Sequence, residues 1–360
     1  MSKHPLRALA ELGAASLLTV AGAAAHAGKE APAALSPPSI QYHVTRTVAL
    51  GAPDHWDYVV ADPSTHRVYV AHGERLTVID GRSGAILGQV GGFAGGTHGI
   101  AVIDALGRGY TDDGDAGEAA AFDLRTFKVI RRIKAADDAD AATYDPVSGH
   151  VFVIDGHPGL VTVIDPKRDV AVATVKADPD LEYAVAGGDG KVYVNGASSR
   201  EIIRIDTRNN EVDARWPVAN CESPHGLAVD RRARRLFASC LNAVLVVVDM
   251  DTGAEVATLP IGKGSDSAAF DPRRKLVFSA NGRDGTLSVI WEKTPDTYLP
   301  LATIKTASTA RTMGIDPPTG RLYVAAARPQ PGAPPPSWSK LAPPPVVPGS
   351  LELVFLDPGR

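Results

Sequence analysis

Residues 59–90 read VVADPSTHRVYVAHGERLTVIDGRSGAILGQV. Short apolar runs alternate there with turn residues: Val59–Ala61, a turn at Asp62–Thr65, Val68–Ala71, then Leu76–Ile79 closing on Asp80, a turn, and Ile86–Val90. Runs of about 4–8 residues rich in Val, Ile and Tyr and bounded by Gly, Pro, Asp or Ser mark a meander of antiparallel strands. The pattern returns as ATYDPVSGHVFVIDGHPGLVTVIDPKRDVAVATV from Ala142 and as LAVDRRARRLFASCLNAVLVVVDMDTGAEVATL from Leu227.

An aromatic in the second run sets the register: Tyr69, Tyr110, Phe152, Tyr193, Phe237, Phe278 and Tyr323, with gaps of 41, 42, 41, 44, 41 and 45. The residue closing the third run repeats with it, at Asp80, Asp123, Asp165, Asp206, Asp249, Trp291 and Asp357. A period of roughly 40–45 residues with four strands per unit is a propeller blade. The sequence therefore predicts an all-β, seven-bladed propeller over residues 40–360. A linear solenoid is the rival. The seventh repeat, however, ends on its third strand, Leu351–Asp357, while Tyr42–Leu50 offers the missing fourth. Completing the last blade with that strand closes the circle and leaves no open edge.

The strings DPSTHRVYVAHG at 62–73, DGKVYVNG at 189–196 and LTVID at 76–80 resemble the YVTN-type β-propeller repeat of exported bacterial proteins. The resemblance runs over residues 42–357. It extends to a subgroup with a Cys pair in the fifth blade and a Pro-rich stretch ahead of a final PGS-L-x-L-V strand. It implies the propeller fold and a binding or scaffold role, and is weak for any activity.

Composition narrows the partners. The chain has 360 residues, 44% hydrophobic and 22% charged, with a net charge of −4. Nothing there draws it to nucleic acid or an anionic membrane surface. Residues 1–27 read as a signal peptide: Lys3 and Arg7, an apolar Leu12–Ala25 stretch, and Ala25-His26-Ala27 as a cleavage site. A retained anchor is the competing reading, but the stretch falls short of the roughly 20 residues that span a bilayer. The expectation is a periplasmic or secreted protein with no membrane span after cleavage, a linker over residues 28–39, and then the propeller. An oxidising compartment permits a disulfide between Cys221 and Cys240, which the repeat puts on neighbouring strands. A reactive or metal-binding thiol pair is the alternative.

In a propeller the first strand of each blade lines the central channel. One equivalent position per blade, five residues before the Asp that ends that strand, gives Asp57, His98, Asp140, Glu182, His225, Asp266 and Arg311. Blades 2 and 4 are placed by their downstream aromatics. Seven ionisable residues at seven equivalent positions form a candidate ligand-binding ring at the channel mouth. Its carboxylates raise one another's pKa, Arg311 pairs with some of them, and the histidines can serve as ligands or proton carriers. Three readings stand: solvated channel polarity, a site for a small ligand or divalent metal, and a catalytic centre. A protein partner could dock on the same face.

A second series ends the second strands: His72, Asp113, Asp155, Asn195 and Asn281. The acidic stretch Thr111–Glu118 lacks the spacing of a calcium loop and reads as a solvated turn. Gly99 and Gly226, each following a ring histidine, fit a close backbone approach. The Pro-rich insertion at residues 329–350, with Trp338 as its large apolar side chain, reads as a loop on the ring face, either mobile or a lid. The third-strand aspartates read as turn-formers. No serine-hydrolase elbow, H-E-x-x-H zinc motif, phosphate loop or dinucleotide fingerprint is present. The function expected is a binding or interaction scaffold. A metal-dependent lactonase- or lyase-like enzyme, with His98 or His225 as base, is the alternative.

Overall fold

The computed structural model describes residues 37, 40–334, 337, 342 and 344–359. The expected signal peptide, nearly all of the expected 28–39 linker and Trp338 lie outside them. Among the described residues the chain forms seven four-stranded antiparallel sheets. Six are simple meanders in chain order. The seventh is ordered so that Tyr42–Ala49 pairs with Glu352–Pro358, which pairs with Arg321–Ala326 and then Thr312–Asp316. The strand from the start of the propeller thus completes blade 7, as its truncated repeat predicts. No helix among the described residues is long and apolar enough to cross a membrane.

The register aromatics explain the packing between blades. All seven are buried at 0–1% exposure. Each contributes on the order of 2–3 kcal/mol of apolar burial to a sheet interface. Three of the four register tyrosines reach the next blade through their hydroxyls: Tyr110 to Asp169, Tyr193 to the Met250 carbonyl (3.4 Å) and Tyr323 to that of Gly81 (3.1 Å). The last of these joins blade 7 to blade 1.

The third-strand aspartates are turn-formers. Asp80 accepts from the amides of Arg82 and Ser83, and Asp249 from those of Asp251 and Thr252. The disulfide is formed, with Cα atoms 5.3 Å apart and both cysteines fully buried. Cys240 ends the second strand of blade 5 (Arg235–Cys240), but Cys221 sits in the turn ahead of the first strand (Pro224–Asp230) instead of on it. The bridge therefore pins a loop to a strand.

Tyr58, leading into blade 1, meets Tyr183 of blade 4 with ring centroids 4.3 Å apart. Tyr58 lines a polar cavity of about 440 Å³ on one side. Tyr183 lines a shallow apolar depression of about 250 Å³ on the other, walled by Val59, Leu227, Ala268 and Met313. The seven charged positions belong to the polar side.

Candidate functional site

Local backbone geometry delivers the charged side chains. In blades 2 to 6 the residue two places before the ring position is left-handed: Gly96 (φ 89°), Asp138 (62°), Asp180 (59°), Ser223 (49°) and Gly264 (71°). Gly, Asp and Ser tolerate or locally stabilise such a turn. In blades 3 to 6 a bulge follows at the ring residue itself, between Ala139 and Ala141, Leu181 and Ala184, Pro224 and Leu227, and Ser265 and Ser267. A bulge takes the residue out of the ladder and re-aims its side chain. Here those side chains are Asp140, Glu182, His225 and Asp266.

Asp57, Asp140, Glu182, His225, Asp266 and Arg311 line the 440 Å³ cavity together. His98 is not in that lining but stands against it: Asp57, His98 and Asp140 each present a ligand atom within 4.8 Å of the others. Glu182, His225 and Asp266 do the same. The ring thus divides into two acid–His–acid triads, from blades 1–3 and blades 4–6, with Arg311 of blade 7 between them. Arg311 donates from Nε to Asp266 (2.8 Å) and from Nη2 to the Trp56 carbonyl (3.0 Å), lies 3.8 Å from Asp57, and covers the Trp56 ring at 5.5 Å.

Both ring histidines are fixed through Nδ1. His225 Nδ1 donates to the Ser223 carbonyl (2.9 Å), and its Nε2 lies 3.3 Å from Glu182. His98 Nδ1 lies 3.1 Å from Asp112, a fully buried carboxylate that also accepts the amides of His98 (2.8 Å) and Gly99. The glycine after each histidine is required by space. A Cβ on Gly99 would meet the backbone of Ala141–Ala142, and one on Gly226 the backbone of Ser267–Ala268, at 2.6 Å or closer.

The electrostatics follow from four carboxylates around a recessed cavity. Burial pushes Asp57 up to about 6, with Arg311 opposing and Asp266 reinforcing. Burial and neighbouring carboxylates carry Asp140 and Glu182 well above the usual range. For His98 burial opposes the charged form, but hydrogen-bonded Asp112 and the nearby Asp57 and Asp140 outweigh it and raise the imidazole to about 10. Four ring carboxylates thus face Arg311 and a His98 imidazole that favours its charged form.

The sequence reasoning missed three contributors. Asp112 lies within the acidic stretch expected to be a solvated turn, yet Thr111, Asp112 and Asp113 are buried and only Asp115 and Ala116 are exposed. His55 and Trp56 line the cavity from the loop that leads into blade 1, directly ahead of Asp57. His55 stands 6.4 Å from His98 between ring centroids, and burial lowers its pKa, with His98 and Arg311 acting the same way. The second series turns out to brace the scaffold. His72 bonds Thr77 and the carbonyls of Gly51 and Pro53, Asn195 donates to the His225 carbonyl (2.8 Å), and Asn281 bonds Thr286 and Ser288. From the Pro-rich insertion, Ala342 reaches the cavity lining. Asp54 holds the return of that insertion by accepting the amides of Gly349 and Leu351.

Among solved structures the chain matches the RRP9 WD40 repeats at TM-score 0.74, with 10% identity over 88% of this chain and 99% of that one. The chain has the seven-bladed β-propeller fold. A chain of a mitotic checkpoint complex matches at TM-score 0.70 and 14% identity, covering 91% of this chain and 96% of that one. Hydrazine synthase of Kuenenia stuttgartiensis matches at 0.65 and 14%, covering 74% and 91%. At such identities the likeness concerns the fold alone. No protein-family profile matches. Over 99 residues, 25% of this chain, the propeller is 29% identical to a 6-phosphogluconolactonase of Xenorhabdus nematophila, and the match spans only 30% of that protein's length.

Proposed function

We propose that this propeller is an exported, YVTN-type binding protein that captures a small, positively charged ligand in the cavity at its channel mouth. The observation that carries the reading is the cavity itself: four carboxylates converge on a recess of about 440 Å³ above a floor that includes Tyr58. Partial burial strengthens their attraction for a cation over what the same groups exert in bulk water. The fixed imidazoles and the pinned lead-in loops pre-organise the recess, which lowers the ordering cost of binding. A buried disulfide fits export.

The test is native mass spectrometry of protein exposed to a bacterial metabolite extract. Wild type should retain a small cationic species that the Asp57→Asn/Glu182→Gln/His225→Ala variant releases. If both retain the same species equally, the charged ring is not the binding site. A second reading, hydrolysis of a sugar lactone, is favoured by the local similarity to a 6-phosphogluconolactonase. His225, with Nδ1 tied to a carbonyl and Nε2 toward Glu182, is its candidate base. Turnover of δ-gluconolactone above the background rate, lost in His225→Ala, would favour that reading over capture alone.

A further inference from the structure

The two triads are alike in composition but not in how their charges are met. In the blade 4–6 triad, Glu182 has His225 at 3.3 Å and Asp266 has Arg311 at 2.8 Å. Each carboxylate there already faces a nitrogen of a basic side chain. In the blade 1–3 triad, the nearest cation to Asp57 other than His98 is Arg311 at 3.8 Å. Among the described residues, no hydrogen bond or ion pair reaches the Asp140 carboxylate. Two recessed carboxylates from different blades converge there without the donors that their partners across the cavity possess. Such groups are costly to enclose unless a positive charge joins them.

The third member is prepared for the same purpose. His98 is held through Nδ1 by Asp112, which is itself fixed by the amides of His98 and Gly99. A carboxylate behind an imidazole, setting its tautomer and its direction, is the usual outer support of a metal-binding histidine. Asp112 serves nothing else: its acceptors are all spent on the His98–Gly99 segment. The close approach of Gly99 to the first strand of blade 3 keeps His98 beside Asp140.

We propose that Asp57, His98 and Asp140 bind one divalent cation of the Zn²⁺, Mn²⁺ or Co²⁺ kind, with Asp112 as the outer support of His98. The inference rests on the charged ring being the binding site and specifies what occupies one half of it. One imidazole and two carboxylates suit such a cation better than Ca²⁺, which prefers an all-oxygen shell. Bonds of roughly 2.1 Å place ligand atoms about 3–4 Å apart. The present separations, all within 4.8 Å, need side-chain rotations of about an ångström. Three protein ligands leave coordination positions open toward the cavity, where a second molecule could bind. The blade 4–6 triad is already compensated and takes no cation of its own.

The experiment is titration of chelator-treated full-length protein with Co²⁺, followed by calorimetry and visible absorption, with Zn²⁺ as competitor. One equivalent should bind. His98→Ala and Asp140→Asn should each weaken it at least 100-fold, and Asp112→Asn 10- to 100-fold. Asp266→Asn and Glu182→Gln should stay within a few-fold. Matching far-ultraviolet dichroism and melting curves ensure that no variant is scored on misfolding, and loss of the Co²⁺ absorption bands in His98→Ala reports the imidazole directly. Absence of saturable binding below about 1 mM, or equal losses in both triads, overturns the assignment. If the cation fails to bind while the triple ring variant still releases its captured species, the binding reading stands and this inference alone falls.

Discussion

Asp155 shows what the second series does. It ends the second strand of blade 3 (His150–Asp155), is fully buried, takes the Thr162 hydroxyl on Oδ2 at 2.8 Å, and has no hydrogen bond on Oδ1. Burial pushes its carboxyl up to about 7, with Thr162 opposing and the charges of Asp112 and Asp138 reinforcing. A raised folded-state pKa means the neutral form is the one the fold accommodates. The stability tied to it is complete below the unfolded value of 3.8 and is lost as pH rises toward 7. Asp155→Asn should therefore gain on wild type by roughly 2 kcal/mol between pH 5 and pH 8. Urea midpoints at the two pH values measure it, and parallel profiles would sink the assignment. The ring residues were legible because six of the seven stand twelve residues before a repeating aromatic and Glu182 stands eleven before its own. Asp112 was not: one place along the same strand as Asp113, a buried support and a surface turn acid are written with the same letter. His55 and Trp56 were hidden for the opposite reason: they stand in the lead-in loop of blade 1, at positions where the other repeats carry no such residues.

At the scale of elements, the period shows where strands fall but not how they are bent. A bulge at the ring residue leaves the spacing between aromatics almost untouched, so it surfaces in the sequence only as a blurred alignment, as in blade 4, where it covers both Glu182 and Tyr183. The left-handed residues two places upstream are equally hidden, because Gly, Asp and Ser mark any turn. Blade 5 has the extra device of the disulfide. It anchors the lead-in loop at Cys221, two residues before Ser223, which is left-handed at φ 49° and whose carbonyl fixes His225. A non-Gly residue in that region persists when its surroundings over-determine it. Opening the 19-residue loop with Cys221→Ser/Cys240→Ser should cost about 3 kcal/mol. It should also free the His225 ring while leaving His98, anchored on another blade, unchanged. Imidazole proton resonances distinguish the two histidines. A His225 signal as sharp and as placed as in the wild type would separate the disulfide from the site.

For the whole molecule, the decisive feature was a gap: a seventh repeat one strand short and a spare strand ahead of the first. The structure fills it with Tyr42 opposite Pro358 and Ala49 opposite Glu352. The seam between blades 7 and 1 also uses a contact repeated elsewhere. Arg321 donates to the Gly81 carbonyl across it, just as Arg67 of blade 1 donates to Leu124 of blade 2 at 2.6 Å. Closure therefore rests on an interface of the ordinary kind, plus one strand supplied from a distance. Removing residues 1–49 should expose the edge of Glu352–Pro358 and the face of Phe355, which is fully buried in the closed form. Such an edge invites pairing between molecules, so the truncated protein should melt lower and aggregate on heating. Because Tyr42 lies beside Pro358, residues 40–50 appended after residue 360 through a short Gly-Ser turn can form the same pairing as a hairpin. With the chain restarted at Gly51, that permutant should recover wild-type stability to within about 2 kcal/mol, since loop closure changes only slowly with length. His72 and Asp54 still hold the new start of the chain in place, so the cavity should keep its shape. Thermal melts of the three proteins decide it: a truncated form as stable as wild type, or a permutant no better than the truncation, would mean that this strand is not what closes the propeller.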